Sequence, residues 1–224
     1  MILTSSYRNI VTDLHDSRIS IVQGGTSAGK TYAILQALII GAYKGSITGL
    51  ISIVSESLPH LKRGALRDFK KILQDNELYS VSNHNRTDNT YTINDTTFEF
   101  FSADQDDKLR GARRDYLFIN EANNISYQAW SELFIRTRKW SIIDFNPVAE
   151  FWAHTEILGH PEEDFRDKVR FIKLNYTHNE ALDQVTIDNI ESRKHDPDWW
   201  QVYGLGEVGT PTGVIFPPSV WSVG

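Results

Sequence analysis

The stretch Arg18-Ile-Ser-Ile-Val-Gln23-Gly24-Gly25-Thr26-Ser27-Ala28-Gly29-Lys30-Thr31 decides the fold. A β-branched run from Arg18 to Gln23 predicts a strand, and the apolar residues from Lys30 to Tyr43 predict a helix. Between them, Gly24 to Thr31 satisfies G-x-x-x-x-G-K-[ST] at every fixed position. Glycines let backbone N–H groups turn inward around anionic oxygens, and the opening of a helix adds a partial positive charge. Lys30 places a cation on β- and γ-phosphates, and the Thr31 hydroxyl is a hard oxygen ligand suited to Mg2+. Gly24, Gly25, Thr26, Ser27, Ala28, Gly29, Lys30 and Thr31 are therefore the candidate phosphate-binding residues.

A phosphate loop of this kind needs a second strand ending in acid. Tyr116-Leu-Phe-Ile-Asn120-Glu121 is the best candidate. Glu121 is placed to orient and deprotonate an attacking water. The usual residue before it is aspartate; here Asn120 offers only a neutral side-chain oxygen to a metal-bound water. A third strand, Trp140 to Asp144, runs into Phe145-Asn146-Pro147, which puts Asn146 where ligands bind in open α/β sheets. Gly49–Ser55 and Val169–Leu174 read as further strands, Tyr91–Phe101 as a hairpin turning at Asn94-Asp95, and Leu58–Gln74 and Ser126–Arg138 as helices. Apolar strands alternating with helices predict an α/β fold. With the phosphate loop and Glu121, the expectation is a P-loop NTPase of the additional-strand, catalytic-glutamate (RecA-type) class, with a mostly parallel sheet flanked by helices. Residues 1–147 are expected to form the core sheet and 148–208 a small helical lid, with 209–224 the start of a linker.

Composition narrows the field. With 23 Lys+Arg against 29 Asp+Glu the chain is mildly acidic, at −6, which excludes a uniformly basic nucleic-acid-binding shell but not local patches. No cysteine is present, so disulfide scaffolds, thiolate zinc sites and cysteine nucleophiles are excluded. No apolar run approaches the ~20 residues of a membrane span. Basic residues gather at Lys62/Arg63/Arg67/Lys70/Lys71, at Arg110/Arg113/Arg114 and at Arg136/Arg138/Lys139. The first group reads as a solvated helix face or a DNA-backbone contact. The second lies in a glycine-containing loop able to deliver a guanidinium to a phosphate.

Taken in order, these pieces resemble the N-terminal ATPase domain of phage terminase large subunits. The resemblance adds Ser55-Glu-Ser-Leu-Pro-His-Leu-Lys62, Lys108-Leu-Arg-Gly-Ala-Arg-Arg114, Asp144-Phe-Asn-Pro147, Leu174-Asn-Tyr-Thr177 and Tyr203-Gly-Leu-Gly-Glu207 to the phosphate loop. It implies Mg2+-dependent ATP hydrolysis by a homo-oligomeric ring that drives double-stranded DNA into a procapsid. The implied partners are the portal protein and the small terminase subunit. The implied place is the host cytoplasm, transiently at the portal vertex, and not the mature virion or a membrane. It implies that Arg110 is a trans arginine finger and that Asn146 belongs to a motif coupling hydrolysis to motion. It makes Tyr7 and Arg8 candidates for the adenine. The family's nuclease half would lie past Gly213-Val-Ile-Phe216, so cutting activity is expected to be absent. The alternatives are another P-loop DNA-dependent ATPase of helicase or recombinase type, and a nucleotide-binding module that does not hydrolyse.

Overall fold

The structure is a computed structural model describing residues 1–209 except 13, 15, 110 and 112. An eight-stranded sheet forms the centre: β1 (Ile19–Gly24), β2 (Gly49–Ser55), β3 (His84–Asn85), β4 (Thr90–Ile93), β5 (Thr96–Ser102), β6 (Arg114–Ile119), β7 (Thr137–Phe145) and β8 (Val169–Leu174). Their spatial order is β3-β4-β5-β2-β6-β7-β1-β8. From β5 to β8 neighbours pair in parallel, and β4 and β3 extend that sheet in antiparallel fashion. The phosphate-loop strand β1 and the acid-ending strand β6 are not neighbours. Strand β7 lies between them, the arrangement expected of the additional-strand class.

Why these strands are central follows from their sequence. β1 is buried along its whole length, and its side chains alternate between two apolar layers. Val22, Ile51, Ile53, Tyr116, Phe118 and Ile142 meet helix α2 (Lys30–Lys44) on one face. Ile19, Ile21, Leu117, Ile119, Ile143 and Phe145 meet Trp130, Leu133 and Ile157 on the other. Helix α2 is apolar nearly all round, which suits a helix wedged between α1 (Ser5–Val11), the sheet and the helix after β2. It ends on Gly45, whose φ of 71° is a left-handed stop that a β-carbon would strain.

Three boundaries differ from the sequence reading. The stretch Leu58–Gln74 is two helices, α3 (Leu58–Arg63) and α4 (Ala65–Asp75), broken at Gly64. A β-carbon there would stand 3.1 Å from the His60 carbonyl oxygen and 3.4 Å from Asn120 Oδ1. Strand β7 begins at Thr137, so the preceding helix stops at Phe134 and does not reach Arg138. The expected lid region, 148–208, also supplies β8 to the core sheet, paired with β1 from Ile19↔Val169 to Gly24↔Leu174. The core sheet therefore does not stop at residue 147. β8 is the strand read at Val169–Leu174, and its half-exposed side chains suit the edge position it takes. The linker reading falls on 209–224, and all of it after Gly209 lies outside the described residues.

Candidate nucleotide-binding site

Gly24 ends β1 and the chain wraps at once around the opening of α2. Ser27 (φ 57°) and Gly29 (φ 73°) both take left-handed backbone conformations, which curls residues 25–29 into a cradle. The loop is held from behind. Gly25 N donates to the Leu174 carbonyl (3.1 Å), Thr26 N to the Tyr203 carbonyl (2.9 Å) and Gln23 Nε2 to the Gly206 carbonyl (2.8 Å). A β-carbon on Gly25 would stand 2.2 Å from the Tyr203 oxygen, so this position requires glycine. Two sequence pieces that carried no chemistry of their own, Leu174–Thr177 and Tyr203–Glu207, thus brace the cradle.

The cradle opens into a cavity of about 670 Å3 that also meets Arg67, Glu121, Asp144 and Asn146. Lys30 crosses its floor. Its Nζ donates to the carbonyls of Gly24 (2.9 Å) and Gly25 (3.0 Å) and to Asn146 Oδ1 (2.7 Å). Burial lowers the Lys30 ammonium to about 8, against the pull of the Asp144 and Glu121 charges.

Beneath Thr31 lies a polar cluster that the sequence reading did not assemble. Phe118 and Asn120 project from the same face of β6, and Ile142 and Asp144 from the same face of β7. The residues just before Asn120 and Asp144 in each row, Tyr116 and Phe118 on β6 and Trp140 and Ile142 on β7, are apolar and buried. The strands pair Ile119↔Ile143, so Asn120 and Asp144 leave the sheet side by side. Asp144 is 1% exposed and Asn120 4%. Thr31 Oγ1 donates to Asp144 Oδ2 (2.5 Å), and Asn120 Nδ2 donates to Asp144 Oδ1 (3.0 Å) and to Thr31 Oγ1 (3.1 Å). The backbone N–H of Glu121 also donates to Asp144 Oδ1 (2.8 Å). Burial pushes the Asp144 carboxyl up, while these donors and the Lys30 charge pull it back. The Asn120 oxygen accepts instead from Ser55 Oγ (3.3 Å). It is thus the amide nitrogen, and not the expected oxygen, that faces Thr31.

Glu121 follows with φ 57° and ψ 53°, a left-handed conformation that costs a non-glycine residue about 1 kcal/mol or more. The turn throws its side chain, 55% exposed, into the cavity mouth, with Oε2 3.5 Å from His60 Nδ1. The oxygens gathered here are hard donors, and among the described residues no group of three or more His, Cys, Asp or Glu could hold a metal by itself. That donor set fits a Mg2+ ion that arrives with phosphates supplying most of its ligands.

Other candidates sort by position. Tyr7 packs on the core beside α2 and Arg8 is exposed; neither lines the cavity or the adjoining apolar pocket of about 480 Å3. That pocket is formed by Gly29 of the phosphate loop together with Ile2, Thr4, Tyr32 and Asn179, four residues the sequence reading missed. Arg114 is a core residue, 1% exposed, whose guanidinium donates to the Leu133 carbonyl (3.1 Å). Arg110 lies outside the described residues. Arg67, read as one of a basic helix face, borders both the nucleotide cavity and the space beside Glu121.

Residues 16–207 match the family described as phage terminase large subunit. The chain belongs to that family. Its fold is that of solved large terminases. One, from a thermophilic bacteriophage, superposes with a TM-score of 0.78 at 17% identity, covering 98% of this chain and 57% of that one. The large terminase of bacteriophage HK97 gives 0.68 at 10% identity, over 93% of this chain and 51% of that one. The ATPase domain of the Thermus phage P74-26 large terminase gives 0.59 at 16%, over 84% of this chain and 87% of that domain. The chain thus spans little more than half the length of these two large terminases. A structure of the thermophilic phage protein in complex with ADP also matches, with a TM-score of 0.74 at 18% identity, over 92% of this chain and 53% of that one. No curated protein is a significant sequence match.

Proposed function

We propose that this terminase chain hydrolyses ATP to ADP and phosphate and spends that free energy on moving double-stranded DNA. The observation that carries the reading is the convergence on one cavity of the cradle, Lys30, Thr31 and Glu121. Backbone N–H groups of residues 25–31 and the α2 terminus take the phosphate oxygens. Lys30 gives up its carbonyl partners for β- and γ-oxygens and stays tied to Asn146, so Asn146 registers the phosphate through the amine. Glu121 orients the attacking water and accepts its proton. Mg2+ bound with the nucleotide would neutralise developing charge on the phosphates, with Thr31 as its protein ligand and residue 120 beside it. The adenine is assigned to the apolar pocket at Ile2, Thr4 and Tyr32, in preference to Tyr7 and Arg8.

Double-stranded DNA is assigned to a groove of about 450 Å3 between α4 and the β3–β4 hairpin. It is lined by Lys62, Arg67, Lys70, His84 and Arg86. Burial, then the neighbouring Arg86 and Lys62, lowers the Lys70 ammonium, as nearby cations should. Such a patch on a chain of net charge −6 attracts phosphodiesters. A homo-oligomeric ring on the portal, with Arg110 reaching a neighbouring subunit and the small terminase subunit delivering DNA, completes the assignment.

The test is steady-state ATP turnover with Mg2+. Lys30→Ala should abolish it. Glu121→Gln should bind nucleotide normally and turn over at least ~100-fold slower, the scale of a lost general base. Wild-type turnover by the Lys30→Ala protein would remove the assignment.

A further inference from the structure

Asn120 stands where a phosphate-loop enzyme needs negative charge, and Asp144 stands one strand away, buried, without having entered the reaction above. Thr31 links them. A hydroxyl has one proton and two lone pairs. Thr31 gives its proton to Asp144 Oδ2 (2.5 Å) and takes one bond from Asn120 Nδ2 (3.1 Å), which leaves one lone pair unclaimed by either neighbour. Without the Asp144 acceptor, that proton would compete for the direction a cation needs.

We propose that Asp144 on β7, and not residue 120 on β6, is the carboxylate that orients Thr31 toward Mg2+, and that Asn120 is a positioning residue that holds Asp144 in place. The inference rests on the nucleotide-site reading and deepens it. An amide on β6 and an acid on β7 face each other. The pairing is constrained, because the side chains meet at 3.0 Å and both are more than nine-tenths buried. Two carboxylates in that space cannot both ionise, and two amides would leave Thr31 with no anionic acceptor. The Asp144 carboxylate accepts three bonds, from Thr31, Asn120 and the Glu121 backbone. One group therefore sets both the metal-side hydroxyl and the start of the strained turn that presents Glu121.

The experiment measures mant-ADP affinity by fluorescence in excess EDTA and in excess MgCl2, with thermal melts to verify folding. The readout is the ratio of the two affinities, which does not depend on turnover. Asp144→Asn should keep the EDTA affinity and lose ~10–100-fold of the Mg2+ increment, the scale of losing an outer-shell metal partner. The reciprocal double variant Asn120→Asp/Asp144→Asn restores one acid and one amide with the strands exchanged. It should recover the increment to within a few-fold of wild type. An Asp144→Asn protein whose Mg2+ increment stays within twofold of wild type overturns the proposal. So does a double variant that binds mant-ADP normally in EDTA yet remains as deficient in Mg2+ as the single one. If the wild-type protein binds no mant-ADP under either condition, the nucleotide-site reading itself fails, an outcome distinct from both.

Discussion

Replacing Asn120 by aspartate adds a negative charge where one is already buried. The new oxygen would lie about where Asn120 Nδ2 does, 3.0 Å from Asp144 Oδ1. At an effective dielectric constant of about 20, two charges at that separation repel by on the order of 5 kcal/mol. The pair avoids this by keeping one proton. For a group that would otherwise lose it near pH 4, holding a proton at pH 7 costs ~4 kcal/mol, and at pH 5 only ~1.5 kcal/mol. Nearby Lys30 favours the ionised form and offsets part of the repulsion between two charges, which caps the cost of the variant, so about 2–4 kcal/mol is expected at neutral pH. The sign follows from proton counts. Above pH 4 the native variant binds more protons than the unfolded chain, so its stability falls as pH rises. For a domain of this size each kcal/mol moves the midpoint by roughly 2–4 °C. Thermal melts of wild type and Asn120→Asp at pH 5 and pH 7, in EDTA, should show a gap of about 4–16 °C at pH 7 that shrinks at least by half at pH 5. A gap that is absent, or equal at the two pH values, would show that the two side chains do not share one buried space.

Nucleotide affinity should fall as pH rises above about 8, where burial has placed the Lys30 ammonium, because only the charged amine attracts phosphate; a titration of mant-ADP that is flat from pH 7 to 9 contradicts this. Charge reversal at Lys62, Lys70 and Arg86 together should weaken DNA binding and reduce its dependence on salt by about three phosphate contacts, with ATP binding unchanged. A salt slope equal to wild type would place DNA elsewhere. Mixing Arg110→Ala protein with Lys30→Ala protein should recover part of the turnover that each lacks alone, since mixed interfaces pair an intact cradle with an intact arginine. No recovery between subunits shown to associate would assign Arg110 a role within its own subunit.

The cradle and the central strands were legible because both are local. The fixed glycines and lysine sit within Gly24–Thr31, and β1, β2, β6 and β7 are short apolar runs. What escaped depends on which strands become neighbours. Asn120 looked like a departure that weakened the metal site, while attention at the next strand went to Asn146. Only the register Ile119↔Ile143 brings Asn120 against Asp144 and turns two oddities into one pair. The break at Gly64 was similarly hidden, since the apolar spacing runs through it; the backbone there leaves the helical region, at φ −102° and ψ −110°. The apolar pocket proposed for the adenine escaped because α1 packing on α2, and not residue chemistry near the N-terminus, decides that Thr4 and Tyr32 line it and Tyr7 does not.

The bond between Lys30 and Asn146 has a mechanical reading. Asn146 is followed by Pro147, whose carbonyl accepts from the Gly209 N–H at 2.9 Å. The path from Lys30 Nζ to Gly209 runs through a 2.7 Å hydrogen bond, the Asn146 side chain, the Asn146–Pro147 backbone and a 2.9 Å hydrogen bond. A displacement of Gly209 is therefore passed to the segment that holds the amine, as well as to the sheet through the bond from Gln23 to Gly206. By reciprocity, a ligand that draws Lys30 off the Gly24 and Gly25 carbonyls changes the stiffness of that anchor. The phosphate loop and Gly209 are two ends of one short tether.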